Sequence, residues 1–187
     1  METSLILKRE HLLIKTMLVK TGALFAAPWT PQTELQSCLS FFGEYADTYH
    51  HAKEEKIYFP WLVRMQPDLE EGPVAVMLYE HDVGRKLMRS AQSSLDRGDR
   101  LEAARYFAEF RNLLREHIFK EDNILYAMAD RVAQENNGDS EMLPQFEAVA
   151  RELREVAERW NSMPILAEVS EEAAREGVNP RMGCGGS

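Results

Sequence analysis

Apolar side chains recur at spacings of three and four residues along most of the chain, and no segment alternates apolar with polar at period two. That pattern predicts helices and no strands. A first helix is expected from about Ser4 to Phe25, where "APWTP" stops it: two prolines so close end one helix and set the start of the next. A second runs from about Pro31 to Met65, with Pro60 expected to kink it or end its main part. "QPDLEEGP" reads as a loop, followed by a third helix from about Pro73 to Asp96. "RGD" is a short connection to a fourth helix, from about Asp99 to Gln134, which the turn residues of "ENNGDS" close. A fifth covers about Glu141 to Asn161. Four long helices with short links predict an all-α, up-down-up-down four-helix bundle with an additional C-terminal helix. Residues 1–163 are read as one domain, with its four core helices over about 4–134. Residues 164–187, which end in "NPRMGCGGS", are read as a flexible tail.

The same periodicity tells which way the histidines face, because a helix turns by about 100° per residue. In the second helix Leu39, Gly43, Ala46, Ile57 and Trp61 fall within about 40° of His50, which marks the buried stripe. His51 lies about 100° round and Glu54 about 40° round, so both converge with His50; Glu55, about 140° round beside Glu44, is expected on the solvated side. The fourth helix repeats the arrangement. His117 shares a stripe with Ala103, Phe110, Ile124 and Met128, Glu121 faces inward, and Asp122 faces out. His11 aligns with Leu7, Ile14 and Leu18, and His81 with Val74, Met77 and Met88. A single histidine on an apolar stripe is usually a core residue with a hydrogen-bond partner. Here all five histidines take such positions, and two carry an inward acid four residues on. Buried carboxylates without partners are costly, so the pair calls for a cation or for protons.

Composition narrows the class. A net charge of −9 argues against nucleic acid and anionic membranes as partners. No run approaches a transmembrane span, and Lys8, Arg9 and Glu10 interrupt the first apolar segment, which therefore does not read as a signal peptide. Cys38 and Cys184 have no CxxC spacing, so neither a zinc knuckle nor a disulfide framework is indicated. A soluble cytoplasmic protein is expected. Imidazole with carboxylate and no thiolate suits iron, manganese or zinc. Five histidines and two acids exceed one tetrahedral zinc and match two ions bridged by carboxylates.

"REHLL", "HHAKEEKIYFP", "YEHDVGR" and "EHIFKEDNILY", one per helix and in order over about residues 5–130, resemble the hemerythrin-like, HHE cation-binding family. The resemblance implies a four-helix bundle with a non-haem di-iron centre, two Fe ions bridged by an oxo or hydroxo group. It carries over to His11, to His50 with Glu54, to His81, and to His117 with Glu121. Oxygen-carrying members have a second histidine four residues after the third-helix ligand, where this chain has Arg85. Sensor-type relatives have an extra ligand beside the second-helix histidine, where His51 stands. The expected metal set is therefore His11, His50, His51, Glu54, His81, His117 and Glu121. In that scheme His51, His81 and His117 serve one ion, while His11 and His50 serve the other and leave it the open position. Arg85, which cannot ligate, is expected to pair with a carboxylate. Two functions follow from the resemblance. One is binding or sensing of a small diatomic, oxygen or nitric oxide, or of cellular iron or redox state, with a protein partner reached through the fifth helix. The other is a di-iron enzyme or iron-handling protein: an oxidase, a peroxide or nitric oxide scavenger, or an iron donor for iron–sulfur repair.

Overall fold

The computed structural model describes residues 1–161; the expected tail and Cys184 lie outside them. Six helices fill the described residues: α1 (Glu2–Ala26), α2 (32–65), α3 (Ala75–Asp96), α4 (100–136), α5 (Gly138–Glu152) and α6 (Arg154–Asn161). No strand occurs among them. The architecture is an all-α bundle of α1–α4 with added C-terminal helices. The fifth helix differs from expectation. It begins at Gly138 and breaks at Leu153 (φ −103°, ψ 24°), which yields α5 and α6.

Local chemistry places the ends. Asp99 caps α4 by accepting from the Glu102 amide at 2.9 Å, and Gly98 (φ 79°) supplies the left-handed turn before it. The Arg100 guanidinium donates to the carbonyls of Leu24, Ala27 and Thr30, which ties the end of α1 and the turn after it to the start of α4. At the other end Asp139 of α5 accepts from the Glu2 and Thr3 amides at 2.8 and 3.1 Å, a carboxylate at a helix N-terminus. α5 sits tightly: a Cβ on Gly138 would lie 2.6 Å from the Trp61 ring.

Pro60 neither ends nor divides α2, which runs on to Met65. It follows a π-helical turn, Glu54–Tyr58, and further π-helical stretches occupy Phe42–His51 and, in α4, Glu121–Leu125. Such turns carry i→i+5 hydrogen bonds and bring residue i+5 nearly above residue i.

Two apolar clusters fill the bundle. One gathers Ile14, Leu18, Phe42, Ala46, Leu95, Phe107, Phe110 and Leu114. The other gathers Leu7, Ile57, Phe59, Met77, Leu125 and Ala129. On α1, α2 and α3 the histidines fall between the two clusters in sequence, and on α4 His117 stands next to Ile118, where the first cluster ends. The polar layer is therefore closed above and below by hydrocarbon.

Candidate metal centre

The seven predicted side chains come together in that layer, all buried. Ligand-type atoms of His51, His81 and His117 lie within 4.8 Å of one another, as do those of His11, His50, Glu54 and Glu121. His11 Nε2 and His50 Nε2 are 3.0 Å apart, and so are His81 Nε2 and His117 Nε2. Two donors at about 2.1 Å from one ion and at right angles to each other would be about 3.0 Å apart. Glu121 Oε2 lies 3.3 Å from both His11 Nε2 and His117 Nε2, and Glu54 Oε2 lies 3.5 Å from both His50 Nε2 and His81 Nε2. Each glutamate oxygen thus stands between the two histidine pairs.

Every imidazole is turned the same way by a carboxylate at Nδ1. Asp122 serves His11 at 2.7 Å, Glu10 serves His50 at 2.9 Å, and Asp47 serves His51 at 3.3 Å. Glu55 serves His81 at 2.7 Å and Glu80 serves His117 at 2.9 Å. A carboxylate only accepts, so each Nδ1 donates and each Nε2 is presented to the layer. Cations back the acids: Lys15 on Asp122, Lys53 on Glu10, Lys120 on Glu80, and Arg85 on both Glu55 and Asp47. Arg85 thus pairs across helices, as its inability to ligate suggests. The outward facing expected of Glu55 and Asp122 is corrected here. Each lies on a π-helical turn five residues after a histidine, and the wider turn rotates it back toward the layer.

The layer is built as a repeat. Glu10 and His11 on α1 correspond to Glu80 and His81 on α3; His50, Lys53, Glu54 and Glu55 on α2 correspond to His117, Lys120, Glu121 and Asp122 on α4. Three departures from the repeat shape the site. His51 stands where α4 has Ile118, Tyr126 where α2 has Phe59, and Gly84 where α1 has the buried Ile14. The Tyr126 hydroxyl donates to Glu54 Oε1, and its ring stacks on His11 with centroids 5.7 Å apart. Gly84 leaves room for a cavity of about 130 Å³ that adjoins His51, His81 and His117. The sequence reading put the open position with His11 and His50; the cavity lies against the other group.

Electrostatics test whether a cation fits. Oε2 of Glu54 and both oxygens of Glu121 are buried and accept no hydrogen bond. Burial, and then the charge of Glu121, push the Glu54 carboxyl well above its usual range. Burial opposes the charge of Glu121 too, but His117 and His11 outweigh it and hold that carboxyl well down. His117 rises to about 9: burial opposes its charge, but Glu121 and Glu80 prevail. His11 also rises, with Asp122 and Glu121 prevailing over burial. Burial first, and neighbouring imidazoles after it, lower His50, His81 and His51, the last to about 3. Without metal, the value of about 9 keeps His117 protonated at neutral pH, and the upward shifts of Glu54 and His11 favour their protonated forms. Cations would take the place of those protons, satisfying three orphaned oxygens and two close nitrogen pairs at once.

An all-α bundle with this layer has the layout of a cation-binding bundle. The sequence matches the hemerythrin HHE cation binding domain over residues 4–129, and the chain belongs to that family. No curated protein and no solved structure gave a significant match. Facing angles missed the residues that position the imidazoles. Glu10 and Glu80 had a signal, because each directly precedes a histidine on its own helix and serves a histidine on the next.

Proposed function

We propose that the protein is a non-haem di-iron protein that binds or senses a small diatomic ligand, oxygen or nitric oxide. One observation carries the reading: Oε2 of Glu54 and Oε2 of Glu121 are each equidistant from two histidines that belong to different pairs. A single ion would leave one pair facing nothing; two ions use both pairs and both acids. The all-imidazole and carboxylate donor set suits iron. The proposed ligands are His11, His50, His51, Glu54, His81, His117 and Glu121. A pair of iron ions supplies redox change and an exchangeable position for a diatomic. The chain supplies the rest. Five carboxylates fix the imidazoles, two apolar clusters exclude bulk water, and the Tyr126 hydroxyl holds a proton at Glu54 Oε1. A sensing role passes its signal to a partner, for which α5 and α6 are the proposed surface. No helix among the described residues is long and apolar enough to cross a membrane.

Iron-loaded, reduced protein is expected to gain visible absorption on exposure to air, and to give a distinct spectrum with nitric oxide. The oxidised form is expected to bind azide. A spectrum unmoved by air, nitric oxide and azide would assign the metal a structural role instead.

A further inference from the structure

The cavity beside His51, His81 and His117 is larger than a diatomic requires. Its 130 Å³ approaches the about 150 Å³ of an engineered apolar cavity that admits benzene. Phe42, Ala46, Met88, Phe110 and Leu114 wall it. Two glycines keep it open. Gly43 and Gly84 lie inside helices, where glycine costs about 1 kcal/mol relative to alanine. Neither has the positive φ that would call for glycine. A Cβ on Gly43, at the exposed mouth, would meet nothing within 4 Å; one on Gly84 would make ordinary contact with Phe110 at 3.5 Å. Packing against a neighbour therefore does not demand glycine at either position. At the corresponding place on α1, Ile14 fills the space. The charges at the cavity are mostly spent on one another. Asp47 pairs with Arg85, and Glu80 pairs with His117 and Lys120. Arg89, exposed on the lining, makes no ion pair among the described residues.

We infer that this cavity binds a small organic anion, an apolar body of benzene or short-acyl size whose single negative group meets Arg89. The site stands on the cavity and its charge, and does not require that the metal be iron. Pockets of this kind, apolar walls with one polar anchor, are the usual form of small-molecule sites.

Benzoate is the probe, with benzene and benzylamine as comparisons, in calorimetric and NMR titrations of the metal-loaded protein. Benzoate is expected to bind one per chain and to bind more tightly than either comparison. Arg89→Ala should weaken it up to about fivefold, the contribution of one exposed charge pair. Gly84→Leu should abolish binding by filling the cavity. Gly43→Leu at the open mouth should do the same with little strain, which covers the case in which Gly84→Leu folds poorly. Absence of benzoate binding, or binding unchanged in well-folded Gly43→Leu, would overturn the site. Benzene or benzylamine binding as tightly as benzoate would overturn the anion. Azide and air-induced spectra, read on the same samples, report separately on the di-iron reading.

Discussion

Glu54→Gln is expected to abolish paired metal binding while leaving the metal-free bundle as stable as before. Glutamine matches glutamate in shape, and its amide oxygen still accepts from the Tyr126 hydroxyl. In the metal-free chain, burial and the charge of Glu121 favour the neutral Glu54 carboxyl, which the uncharged amide reproduces. The lost charge matters only when cations are present, where Glu54 Oε2 stands between His50 and His81. Melting should therefore show the effect as a lost response to metal. A ligand at a hundred times its Kd adds about 2.7 kcal/mol to wild-type stability, and the variant should show little of it. Glu55→Gln is the comparison. Glu55 orients His81 from behind, so its loss should weaken binding by about 10–100-fold without abolishing it. A Glu54→Gln protein that retains full metal content and the full stabilisation would contradict the bridging role.

Glu10→Ala is expected to cost about 3–5 kcal/mol of stability in denaturant melts, because it breaks a buried ion pair and leaves one partner behind. Lys53 is 1 % exposed; Glu10 accepts from its ammonium and from the Nδ1 of His50. Burial outweighs their attraction, so the Glu10 carboxyl is pushed up and the Lys53 ammonium down, each drawn part of the way back by the other. Removing the acid strands the ammonium over the Tyr49 ring, 3.5 Å from its centroid, which compensates only in part. Glu10→Ala combined with Lys53→Met should recover most of the loss, since an apolar side chain of similar length then fills the same space. A loss below about 1 kcal/mol for Glu10→Ala would mean that water reaches Lys53.

Much of this arrangement was written in the chain at period 3.6. The inward histidines, Glu54 and Glu121, and the four bundle helices follow from spacing alone. The orienting acids Glu55 and Asp122 did not, because they lie on π-helical turns and a fixed 100° step sends them outward. Pro60 was expected to kink α2 or end its main part; it does not end the helix, which runs on to Met65 directly after one of those turns. Tyr126 was unreadable because its partner Glu54 is on another helix, and only the packed bundle brings them together. The cavity also escaped facing angles, which carry no volumes. Its sequence trace is the pair of glycines, Gly43 and Gly84, inside otherwise regular helices.

The central claim, two ions held between four helices by shared glutamates, is tested most directly by anaerobic titration of metal-free protein with ferrous iron, with proton release recorded alongside. Saturation is expected at about two equivalents per chain. Protons should leave as iron enters, because a value of about 9 keeps His117 protonated at neutral pH in the metal-free chain, and the upward shifts of Glu54 and His11 favour their protonated forms as well. Iron competes with those protons, so affinity should rise from pH 6 to 8. Saturation at one equivalent, or occupancy by a single zinc with no uptake of iron, would contradict the account.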